Sequence, residues 1–300
     1  MQFKLDLAQM RSDKNIPYGN NFLNDAIDVR INTVGMDRNL NEPNMSYQDK
    51  VSKQKMIEES EIAKYILETK QDVEKQASLR GILLNVFDEY SIFIIIFIIM
   101  IAGGIVSSEF EKGTVKMLLV KPYKRGKILL AKYIVSLLMI LFIFVITVVF
   151  QVIVGGVVFG FDSLSIPAVV YNFNTNSVVT YNMFEYVLII AVNKLPIYVL
   201  LTTLSFALSS IFANTVIAVV LPILGNVASA VINQLASVYS IRELAVFPTL
   251  NWDFSQFLFG RLPAYEFTSL GFAVCVCVVY WAIMVSVAWI AFRKREIKNV

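Results

Sequence analysis

Between Glu89 and Glu109 the chain carries no Asp, Glu, Lys or Arg, and the same holds from Lys132 to Asp162, Lys194 to Arg242 and Glu266 to Arg293. A helix needs about 20 apolar residues to cross the roughly 30 Å hydrocarbon core of a bilayer, where its backbone must satisfy its own hydrogen bonds. Each of these runs is long enough. The third holds two helices, because "SSIFANT" at 209–215 breaks it with polar residues. Residues 195–208 are too short to cross, so that span starts near Tyr186 and draws Lys194 into the membrane. The pattern predicts five spans, at about 90–108, 133–158, 186–208, 216–236 and 268–291. A mean hydropathy of +0.64 belongs to such a chain and not to a soluble domain. The predicted fold is an all-α, polytopic membrane helix bundle.

Charge gives the orientation. Of the 14 Lys and Arg after residue 80, seven fall in 112–132 and four in 293–298, whereas 162–183 has none. The positive-inside rule puts 109–132 and the tail 293–300 in the cytoplasm and the 162–183 and 237–266 loops outside. Trp289 on one side, and Trp252 and Tyr265 on the other, suit interfacial anchors. Residues 1–85 then form a polar, mainly helical extracytoplasmic segment before a transmembrane domain over 86–292. Residues 1–80 hold 12 basic and 13 acidic side chains and no stretch resembling a signal peptide or a span. The expectation is that a further span precedes this head. Residues 41–80 read as one long helix capped by Asn44 or Ser46, with Ile62, Ile66, Val73 and Ala77 near one face. "AIDVRINTV" at 26–34 fits either a short strand or a helical turn.

The chain has no histidine, which removes imidazole metal ligands and imidazole acid–base catalysis. Cys275 and Cys277 are two apart in an apolar run and point apart on a helix, which argues against a disulfide. Basic patches with interleaved aromatics are absent, so nucleic acid is not an expected partner. "KPYKRGKI" lacks the leading Gly and the Ser or Thr of a phosphate-binding G-x-x-x-x-G-K-S/T loop.

The basic stretch "SSEFEKGTVKMLLVKPYKRGKILLAKY" stands out. Its charge alone would be met by a topogenic loop facing anionic headgroups. Its pattern asks for more: Glu109 and Glu111 come first, Val115, Leu118 and Leu119 form an apolar stripe, and Pro122 and Gly126 close it. An amphipathic helix at the cytoplasmic face fits, with Gly126 letting the chain turn into the next span. The stretch resembles the signature of the type-two permeases of ATP-binding-cassette (ABC) exporters, with Glu111, Gly113, Thr114, Leu118, Leu119, Pro122, Arg125 and Lys132 at the matching positions. The resemblance covers about 200 residues. Family members usually have six spans, and the first has no counterpart here.

The resemblance implies a permease subunit that moves substrate across a bacterial plasma membrane by alternating access. Glu109, Glu111, Gly113, Thr114, Leu118, Leu119, Pro122 and Arg125 would form a coupling helix docked on a separate ABC ATPase subunit. ATP and Mg would be bound there, leaving this chain with no cofactor and no catalytic residues of its own. A second permease copy, identical or not, and membrane lipid complete the expected partners. Within the spans, Lys194 either snorkels outward, with Glu185 or an external-loop group for company, or lines the translocation path with Asn193. A gradient-driven transporter would favour intramembrane carboxylates or an inverted repeat, and the spans have neither. A non-transporting sensor or scaffold is the other alternative. Gly156-x-x-x-Gly160 and Gly103-Gly104 are candidate close-packing sites, and Pro196 and Pro222 candidate kinks.

Overall fold

The structure, a computed structural model, describes residues 11–12, 16, 21–33, 45–113, 125–212, 214–239 and 241–294. It is mostly helical. Among the described residues, five helices are long and apolar enough to cross a membrane: Ser91–Glu111 (α5), Arg125–Phe159 (α6), Met183–Phe212 (α7), Thr215–Ala236 within Thr215–Tyr239 (α8), and Leu270–Lys294 (α9). They match the five predicted runs, and most overshoot them, because a helix continues into the interfacial residues that cap it. Before them come α1 (Phe22–Thr33), α2 (Tyr47–Thr69), α3 (Leu79–Leu84) and the single turn α4 (Val86–Glu89).

The chain divides into two compact units, one of 1–85, 151–189 and 256–266 and the other of 86–150, 190–255 and 267–300. The two later segments joining the polar head were not anticipated.

In the first unit, α1 and α2 pack through faces built from Ile27 and Ile31 on one side and Ala63, Ile66 and Leu67 on the other. Residues 26–33 are thus helical, which resolves the strand-or-helix alternative. Asn21 caps α1, accepting from the Asn24 amide at 2.9 Å. Ser46 caps α2, accepting from the Asp49 amide at 3.2 Å; Asn44 lies outside the described residues. The predicted helix over 41–80 is cut short. Lys70 turns left-handed (φ 55°) and its amide closes on the Ile66 carbonyl at 2.8 Å, a C-cap that no glycine announces. Val73 and Ala77 therefore lie beyond α2, and Ile62 is only half-buried. The predominantly helical expectation also misses a small antiparallel ribbon, β1 (Ala168–Asn172) with β2 (Ser177–Tyr181).

One stripe of α2 holds the segment 256–266. Tyr47, Gln54 and Glu58 are seven and four residues apart, so they share a face. The Tyr47 hydroxyl donates to the Pro263 carbonyl at 2.7 Å. Buried Gln54 takes the Leu262 amide at 2.6 Å and gives to the Gly260 carbonyl at 3.2 Å. Glu58 receives both arms of the Arg261 guanidinium, Nε at 3.1 Å. Gly160, at φ +80°, ends α6; Gly156 lies under the Phe161 ring and Gly155 against Leu79, so this glycine group serves local turns and contacts within the unit.

In the second unit, Ile99, Ala102 and Gly103 of α5 meet α7 and α8. A Cβ on Gly103 would lie 2.8 Å from Ser205 Oγ and 2.9 Å from Val219, so the close approach expected there exists; Gly104 faces open space. Tyr198 is fully buried, edge-on to Phe144 at 4.9 Å. Cys275 is exposed and Cys277 buried, both free. Trp252 is buried, as is Tyr265 in the other unit.

Candidate functional site

The last turns of α5 carry the residues that the sequence singles out. Glu109 forms an ion pair with Lys132 of α6, whose ammonium also donates to the Ile105 carbonyl at 2.6 Å. Both side chains are largely sheltered, at 27% and 12% exposure, so the pair is less screened than a surface one. Two residues on, Glu111 reaches α8 instead. Its carboxylate accepts from the Thr215 amide at 2.7 Å and from the Thr215 hydroxyl at 2.9 Å. That is a helix N-terminus with unpaired amides and a positive dipole end, where a carboxylate is worth about 0.3–1 kcal/mol. Asn214 adds a second cap, accepting from the Ile217 amide at 3.0 Å.

Beneath this cap runs a ladder of small hydroxyls. Thr215 Oγ1 lies 2.7 Å from Ser107 Oγ. The Ser107 amide donates to Ser209 Oγ at 2.8 Å, and Ser209 donates to the Gly103 carbonyl at 2.6 Å. Ser205 has the Ile99 carbonyl at 3.0 Å and the Ala218 carbonyl at 2.8 Å. The last contact answers a local defect. Pro222 has no N–H for the carbonyl four residues earlier, which is Ala218, and a serine from α7 supplies the donor. Helices α5, α7 and α8 are therefore pinned by polar bonds at the level where apolar packing alone would let them slide.

Gly113 ends α5. Its φ of +69° is the left-handed value that a glycine adopts without Cβ strain, and its amide donates to the Phe110 carbonyl at 3.2 Å. Thr114, Leu118, Leu119 and Pro122 lie outside the described residues, as does the amphipathic helix expected there. Arg125 reappears as the first residue of α6. Gly126 is the second helical residue rather than a turn: a Cβ on it would meet the Trp289 ring at 2.7 Å, so the absence of a side chain lets α6 lie against α9.

Lys194 occupies a separate place in the second unit. It is buried, and its ammonium pairs with Asp88 of α4 and with Asp253, the latter at 2.9 Å. Asp253 uses its other oxygen to hold the Ser255 amide at 3.0 Å. Asp253 belongs to the 237–266 loop, from which such a partner was expected; the ammonium bonds go to Asp88 and Asp253 rather than to Glu185. Asn193 precedes it on α7, half-buried. Sequence reasoning did not name Asp88 or Asp253, although Asp88 sits just outside an uncharged run and Asp253 beside Trp252. Nor did it pair Glu109 with Lys132, since 23 positions separate them. Another polar junction went unread: Tyr133 takes the Trp281 indole N–H at 2.7 Å and lies 2.7 Å from Thr203 Oγ1, joining α6, α7 and α9. Among the described residues no group of His, Cys, Asp and Glu could hold a metal ion.

The family model described as "Protein of unknown function (DUF2705)" matches residues 50–298. The chain is 28% identical over 208 residues to "Uncharacterized protein YhcI" of Bacillus subtilis (strain 168), covering 68% of this chain and 64% of that protein. It is 24% identical over 200 residues to "Uncharacterized membrane protein YdbK" of the same organism, covering 67% and 76% respectively. The chain thus spans less than two thirds of the length of the first of these relatives. No solved structure matches it.

Proposed function

We propose a transport role for this chain, which belongs to the DUF2705 family and is a multi-pass membrane protein. It is the membrane-spanning subunit of an ATP-driven exporter of the bacterial plasma membrane, coupled to a separate ABC ATPase through residues 109–132. The observation that carries this reading is the double clamp at the inner end of α5. Glu109 ties that end to α6 and Glu111 ties it to α8. The basic linker leaves from immediately beyond them, at Gly113. A push on the linker is then delivered to three spans as one displacement, which a slack loop would absorb. The linker's positive charge would steer docking more than tighten it. ATP and Mg belong to the partner, because the sequence has no phosphate loop. A second permease copy, identical or different, completes the assembly.

The second reading, a sensor or scaffold that transports nothing, is favoured by the first unit, which has a core of its own. Co-purification separates the two. The chain should bring down an ATP-hydrolysing subunit, and replacing Glu111 with Ala and Gly113 with Val together should abolish transport while the spans stay folded. ATP turnover and transport unaffected by that double variant would sink the coupling role. Turnover that changes with no substrate moved would favour the sensor.

A further inference from the structure

We propose that the second unit holds the end of a membrane lipid's acyl chain in a slot between α7 and α9. A cavity of about 270 Å³ lies there, walled by two turns of α7 from Leu195 to Leu200, two turns of α9 from Val274 to Trp281, and Phe254. On α9 the wall residues fall at 274, 277, 278 and 281, one helix face over about 10 Å, so the slot runs along the helices. Pro196 accounts for the space. Its ring presses on the carbonyl four residues earlier, that of Val192, which works against straight, close packing of α7 at this turn.

The wall side chains offer a guest nothing to hydrogen-bond. Among them only Cys277 and Trp281 carry a polar atom, and both are engaged elsewhere. The Cys277 thiol donates to the Asn251 carbonyl at 3.6 Å, and the Trp281 indole N–H donates to the Tyr133 hydroxyl at 2.7 Å. A polar solute gains nothing there, and an apolar cavity stays dry. A dry void of about 150 Å³ takes a benzene-sized guest, so 270 Å³ has room for roughly ten carbons. Access and depth choose their source. The floor is sheltered, with Leu200 and Cys277 buried, whereas Val278 at the rim is 54% exposed. The slot therefore opens sideways, beside the exposed apolar residues Val279 and Ile283. Pro196 to Leu200 surround the midpoint of α7, so the mouth faces the middle of the bilayer, where lipids present the ends of their chains. A narrow, dry slot along the spans at that depth is complementary to one such chain end.

The test is photo-crosslinking of the full chain in nanodiscs of phosphatidylcholine that carries a diazirine either at the end of an acyl chain or beside its ester. Peptide mass spectrometry maps the adducts. The chain-end probe should mark Leu200 and Cys277, which lipid merely surrounding the protein does not touch. The ester-side probe should leave both at the background of buried Ala102 and Val106. Val278→Trp, which fills the mouth without removing a buried group, should bring the chain-end adducts at Leu200 and Cys277 down to that background, while exposed Ile283 keeps its own. Val199→Phe, which narrows the slot from the α7 side, should do the same; a thermal melt in the nanodiscs reports whether each variant is folded. Background labelling of Leu200 and Cys277 by the chain-end probe, as when a second copy covers the slot, overturns the proposal. So does equal labelling by the two probes, or adducts that persist in a folded variant. The inference needs only that the chain crosses a membrane, so its failure leaves the transport reading standing.

Discussion

Lys194 is the sheltered member of its cluster, at 11% side-chain exposure, while Asp88 and Asp253 stand at 59% and 37%. The cost of breaking the cluster is therefore lopsided. Lys194→Met leaves two carboxylates that water still reaches, and melting should fall only slightly. Asp88→Asn with Asp253→Asn strands a buried ammonium, for which about 3–5 kcal/mol is the expected penalty. A thermal melt in which the lysine variant is the worse of the two would overturn this assignment of burial. Ser205 offers a second test at this scale. Ser205→Ala removes the donor that serves the Ala218 carbonyl opposite Pro222, and a buried acceptor left alone costs about 1–3 kcal/mol. Pairing that variant with Pro222→Ala, which restores the helical amide, should recover much of the loss. Non-additivity in that double-mutant cycle is the measurement.

At the scale of elements, α2 works as a clamp for the segment 256–266. Gln54→Ala should leave α2 helical yet speed amide hydrogen exchange at Leu262, because the buried glutamine carbonyl is the acceptor for that amide. Tyr47 gives the same contact a pH signature. Burial, helped by the charge of Glu266, pushes its phenol up to about 12 from 10.0. A group that holds its proton more tightly when folded contributes stability below its unfolded pKa and loses it as pH climbs through the folded one. The window is thus pH 10 to 12, and the late component of the phenolate absorbance titration, to which Tyr265 also contributes because burial pushes its phenol up, should shrink by one phenol in Tyr47→Phe. This clamp was invisible in the sequence, since Tyr47, Gln54 and Glu58 look like any solvated helical face until the 256–266 segment is laid on them. The spans were legible because absence of charge over 20 residues has few other meanings. The end of α2 was not, because Lys70 adopts its left-handed turn without a glycine, and the ribbon at 168–181 was too short to register against its loop. At the site, Glu111 and Gly113 were found by motif, but the motif did not disclose that one caps α8 and the other terminates α5.

For the molecule as a whole, length matters as much as charge. Helix α6 has 35 residues, about 52 Å of rod. Most of its outward surface is hydrocarbon-like, from Leu130 and Ile134 through Leu138, Phe142 and Phe150 to Phe159, a stretch of about 45 Å. A bilayer interior offers about 30 Å. Such a rod cannot stand upright in a thin membrane and stay dry; it must lean, or the lipid around it must swell. Thin bilayers should therefore be the harsher host. Reconstituted in phosphatidylcholines of increasing acyl length, the protein should melt higher as the chains lengthen, and a flat or falling series would show that the rod is already accommodated. The bilayer's own thickness thereby becomes a variable to which this chain answers, independently of anything it carries or any partner it meets.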